Sequence, residues 1–103
     1  MNKQHDFREV TPEQLTYLHL QFNWSDPEIR MRLALTGIAL NILISDTNVK
    51  VRQAVAFQQY GLDILAEDSD KMVRQTVVML IKEQTYQKAK ELTDDMFRQA
   101  GCL

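Results

Sequence analysis

Arginine recurs at Arg30, Arg52 and Arg74, 22 residues apart each time. A guanidinium presents a planar fork of N–H donors, so three of them along one face could grip a carboxylate or phosphate partner. The same residues could instead serve the fold. Asp46 lies six residues before Arg52, Asp68 six before Arg74, and Trp24 holds the equivalent place before Arg30. Asp26 and Asp70 each stand four residues before an arginine, one helical turn away. Regular spacing favours the structural role, and the ladder is kept as a candidate binding stripe.

Other chemistry is sparse. Trp24 and Tyr60 fall at or beside the junctions of this period, and Trp and Tyr are favoured anchors for a partner. Phe57 shares its place in the period with Leu35 and Met79 and reads as core. The acidic run Asp63, Glu67, Asp68 and Asp70 could attract a cation, but an EF-hand needs alternating ligands, and Met72 breaks that pattern. Solvated turns and helix caps account for it better. The histidines are His5 and His19, and the one cysteine, Cys102, sits beside the last residue. No phosphate-binding glycine loop, paired-histidine metal motif or CxxC is present. The expectation is therefore no enzyme, no cofactor and no metal.

Charge narrows the partners. Twelve basic and fourteen acidic residues give a formal charge of -2, so a nucleic-acid partner is disfavoured. Residues 82–98 contain Lys82, Lys88, Lys90 and Arg98, but Glu83, Glu91, Asp94 and Asp95 balance them. No apolar run is long enough to span a membrane, and the polar start from Met1 to Val10 does not read as a signal peptide. A lone cysteine allows no intrachain disulfide, which fits a reducing, cytoplasmic setting.

The elements that would position these residues follow from the breakers. The chain of 103 residues has three glycines and two prolines, too few for the turns of an all-β domain. Hydrophobic residues at 45% and charged residues at 25% match a folded domain. Three 22-residue units align: 25–46, 47–68 and 69–90. Beside the arginine stand Ile29, Val51 and Val73, and three places later Leu33, Val55 and Val77. Asp26, Asn48 and Asp70 occupy one column as helix N-caps, and Pro27 suits a first helical position. Each unit thus predicts a helix. Gly37 and Gly61 then mark bends that differ in register. A short apolar piece follows, read as a brief helix or 3₁₀ turn, with a buried strand as the competing reading for Leu40–Ile44.

The ends depart from this pattern. Thr11, Pro12 and Gln14 have capping-box spacing, so 11–24 reads as a leading partial unit behind a tail, 1–10. Thr93, Asp94 and Asp95 suggest the restart of a last helix, and 91–103 reads as a C-terminal cap over the final unit.

The motif Asp26–x–x–Ile29–Arg30, repeated as Asn48–x–x–Val51–Arg52 and Asp70–x–x–Val73–Arg74, resembles the short α-solenoid repeats of the HEAT class. In length the units are similar to leucine-rich-repeat variants. The resemblance covers residues 11 to 81 and implies an all-α, right-handed solenoid serving as a protein-binding surface, without fixed catalytic residues. Some variants carry an iron–sulfur cluster on a cysteine-rich segment, which Cys102 alone cannot provide.

The reading is one solenoid domain, 1–103, acting as a non-enzymatic protein-interaction module. Its partner is another protein or a second copy of itself. Trp24, Tyr60, Arg30, Arg52 and Arg74 are the candidate contacts. The alternative is a nucleic-acid-associated or regulatory accessory protein.

Overall fold

The computed structural model describes residues 7–101, with side chains from 7 to 98. It is all-α: six helices and, among the described residues, no strand. They are α1 (Pro12–Gln21), α2 (Pro27–Leu35), α3 (Leu40–Leu43), α4 (Val49–Phe57), α5 (Leu62–Leu65) and α6 (Lys71–Gly101).

The starts are capped as the sequence reads. Thr11 accepts a hydrogen bond from the Gln14 N–H, and the Gln14 side chain accepts one from the Thr11 N–H, a complete capping box. Asp26 accepts from the Glu28 N–H, Asn48 from the N–H groups of Lys50 and Val51, and Asp70 from that of Met72. Both prolines stand at the first helical position.

The short apolar pieces are single helical turns, α3 and α5, which removes the strand reading for Leu40–Ile44. Their entry is a matched bend. Gly37 (φ 82°) and Gln59 (φ 58°) hold one left-handed position, while Ala39 (φ 58°) and Gly61 (φ 62°) hold the next but one. The two bends therefore share one backbone path. Each unit spends its glycine on a different one of the two left-handed positions, and this is why the bends looked out of register in sequence.

The core runs along the middle of the molecule. α4 lies between α2 and α6, and α3 and α5 close the gaps beside it. Leu33, Val51, Val55, Val73 and Val77 are buried, with Leu40, Leu43 and Leu65 from the short turns. Ala34, Ala54 and Ala56 let the long helices approach closely. Of the long helices, α2 packs on α4 and α4 on α6, with no contact between α2 and α6. The radius of gyration, 17.8 Å, exceeds the roughly 13 Å of a compact chain this size.

Two terminal readings change. Residues 7–10 are not a loose tail; the rest of that segment, 1–6, lies outside the described residues. Phe7 and Arg8 carbonyls accept hydrogen bonds from the Ala39 and Leu40 N–H groups at 2.7 and 2.6 Å. Asn41 clamps Val10 through both of its backbone groups, and Val10 is buried. At the other end, no helix restarts at Thr93: α6 is one continuous helix of 31 residues. Every side chain from Ile81 to Arg98 is exposed, and apart from a Gln84 hydrogen bond to Gln59 this half of α6 caps no core. A cap would have needed a break after Ile81 to fold back, and residues 82–100 hold neither Gly nor Pro to make one. Residues 102–103, including Cys102, lie outside the described residues.

Candidate binding surfaces

Arg30 and Arg52 of the ladder are each held from two sides. The Arg30 Nε and Nη2 groups donate to the two carboxylate oxygens of Asp46 at 2.6 and 3.1 Å. Arg52 does the same to Asp68 at 2.7 and 3.0 Å. The remaining nitrogen, Nη1, donates to a backbone carbonyl six residues upstream: Trp24, Asp46 and Asp68 for Arg30, Arg52 and Arg74 in turn. Asp46 and Asp68 also accept from the N–H two residues on, which closes the turn before the next helix. The result is a continuous line from Trp24 through Arg30, Asp46, Arg52 and Asp68 to Arg74.

This arrangement accounts for the tryptophan in the aspartate's place. The upstream acceptor is a main-chain oxygen, so any side chain serves there. The fork takes the aspartate 16 residues downstream, a partner that sequence proximity does not suggest. Asp26 and Asp70 are engaged as caps, not as ion-pair partners one turn away.

The Arg52–Asp68 side chains are 13% and 8% exposed, so the pair sits in a partly dried seam. Hydrogen bonding from Arg52 holds the Asp68 carboxyl below the usual carboxylate range; burial opposes this, and the Asp70 N–H adds to it. The same bonds raise Arg30 and Arg52 above the ordinary guanidinium value. A fork filled in this way has little left for an outside anion. Arg74 differs. Lys90 stands 16 residues beyond it, and among the described residues no carboxylate meets its Nε–Nη2 edge.

Trp24 and Tyr60 are both half-buried. The Trp24 ring lies 4.6 Å from the His19 ring, at the seam between α1 and α2. The Tyr60 hydroxyl donates to Glu9, and Arg8 lies over its ring at 5.8 Å. The bond to Glu9 raises the Tyr60 phenol above its ordinary value, since a carboxylate acceptor needs the proton kept. Tyr60 thus anchors the chain's own strap, 7–10. Between that strap and α1 runs an apolar groove of about 260 Å³, lined by Phe7, Val10, Tyr17, Leu18 and Ile38. It is smaller than the ~300–1,000 Å³ of ordinary small-molecule sites.

The most regular exposed feature is one that the sequence reading assigned to the core. Leu35, Phe57 and Met79 occupy the same place in α2, α4 and α6, and they are 46%, 44% and 53% exposed. They stand two residues after the buried Leu33, Val55 and Val77, about 200° round the axis, which turns them outward. Amphipathic spacing alone could not separate this column from the core, because Leu35 and Phe57 flank the buried Ala34 and Ala56 and Met79 flanks the part-buried Leu80.

Among the described residues no group of three His, Cys, Asp or Glu side chains could hold a metal ion. No helix there is long and apolar enough to cross a membrane. Searches against protein-family models, curated proteins and solved structures find no match.

Proposed function

We propose that the chain is a protein-interaction module built as a short right-handed α-solenoid of HEAT-like or leucine-rich-repeat-variant type, without catalysis of its own. Three findings support the solenoid reading: the 22-residue period, the repeated arginine–aspartate rungs, and contacts confined to neighbouring helices. The observation that carries the function is the column Leu35, Phe57 and Met79. It sets three large apolar side chains on the surface at one register. Scattered exposed apolar residues are ordinary, but a periodic row presents a continuous surface for a partner protein.

The test is site-specific photocrosslinking in the native cell. A photoreactive residue at Phe57 or Met79 should trap a discrete protein partner, and one at Lys50 should trap far less. Phe57→Asp should abolish the adduct at Met79 while leaving helix content unchanged. Equal, diffuse labelling from all positions would remove this reading.

A further inference from the structure

The last long helix carries a second surface, and its spacing names its occupant. In α2 and α4, each packed against a following long helix, the residue after the second core position is buried. Ala34 and Ala56 are 0% exposed, whereas Val78, their equivalent, is 56% exposed, no further unit lying against α6 among the described residues. Val78 begins a line down α6: Val78, Ile81, Thr85, Ala89, Leu92 and Met96, all exposed. At 100° per residue these fall within an arc of about 80°, about 130° from the side packed on α4 and α5. Arg74, with its unfilled fork, stands at the head of the same line.

The spacing of the line is symmetric about Thr85. Ile81 and Ala89 lie four residues to either side, Val78 and Leu92 seven, Arg74 and Met96 eleven. A stripe that reads the same in both directions matches itself under a two-fold axis across the helix. We infer that two copies of this chain pair through antiparallel α6 helices, the two-fold axis passing at Thr85. This deepens the interaction reading above and rests on it.

The pairing sets Val78 against the partner's Leu92, Ile81 against the partner's Ala89, and Thr85 against the partner's Thr85. The spacing averages 22 residues in six turns, close to the unstrained helix, so the two can run almost straight over about 33 Å. Charge agrees with the apolar match. Arg74 falls opposite position 96, one residue from the partner's Asp95. Asp95 is exposed and holds an i,i+3 pair to Arg98. It supplies the carboxylate that Asp46 and Asp68 supply to Arg30 and Arg52. Each copy thereby covers the open last unit of the other.

Analytical ultracentrifugation from micromolar to millimolar concentration tests the pairing. A reversible dimer is expected. Leu92→Glu should weaken it tenfold or more with helix content retained. Arg74→Asp should weaken it, and adding Asp95→Arg in the same chain should restore it. In a Cys102→Ser background, Thr85→Cys should give a disulfide-linked dimer and Gln87→Cys, on the far side of α6, should not. A chain that stays monomeric at the highest concentration overturns the inference, as does a dimer indifferent to Leu92→Glu. A monomer that still crosslinks a partner through Phe57 would sink the pairing and leave the interaction module standing.

Discussion

The Asp68 carboxylate occupies the Arg52 fork in a seam where neither side chain is well hydrated. Asp68→Asn leaves that guanidinium without its counter-charge, and we expect a loss of about 3 kcal/mol in urea denaturation. Glu28→Gln breaks the exposed pair to Arg32 and should cost under about 0.5 kcal/mol. The same aspartate sets an acid limb. Its pKa in the folded chain is lowered, so its stabilisation is present above the unfolded carboxylate value near 3.9 and is lost as pH falls through the folded one. The midpoint of urea unfolding should therefore fall below about pH 4, and Asp68→Asn should flatten that fall. The recurrence of arginine was legible in the sequence and its partner was not. The bond to an aspartate 16 residues on depends on how the short turn packs, and the bond to the Trp24 carbonyl carries no side-chain signature.

Helices were legible because their caps are side-chain events: Thr11, Asp26, Asn48 and Asp70 each announce a start. The bends were harder, since glycine marks one of two left-handed positions and a different one in each unit. Gln59 sits at φ 58° where glycine stands in the preceding unit. Gln59→Gly should stabilise the chain by about 0.5 kcal/mol, the relief of the left-handed strain exceeding the entropy that glycine adds to the unfolded state. Gly61→Ala should cost about 1–2 kcal/mol, because its φ is left-handed and the new methyl would collide with the Ile44 side chain. Thermal unfolding of the pair checks the opposite signs. The strap left no periodic trace, as its hold is main-chain bonding plus one asparagine. Asn41→Ala should release it, seen as faster amide exchange at Ala39 and Leu40.

Across the whole molecule, order is uneven by construction. The core collects around α4, while residues 81–98 of α6 have no buried side chain. In dilute solution, amides from 85 to 98 should exchange far faster than those of Val51 to Ala56. At high concentration the difference should narrow if two copies pair. The long last helix was partly legible from its lack of breakers. Its direction was not, because a sequence with an apolar stripe does not state whether the stripe folds inward or is left for another molecule.

The strap has a consequence in time. Glu9 meets Tyr60 across 51 residues of chain, and Val10 meets Asn41 across 31. During synthesis the strap leaves the ribosome before either receptor exists. At about 5–20 residues per second, Tyr60 follows Glu9 by roughly 3–10 seconds. The strap is thus made before its receptors and seated only after them. Until then Val10 and the groove beside it lie open, and a chaperone meeting the nascent chain would find its apolar surface there.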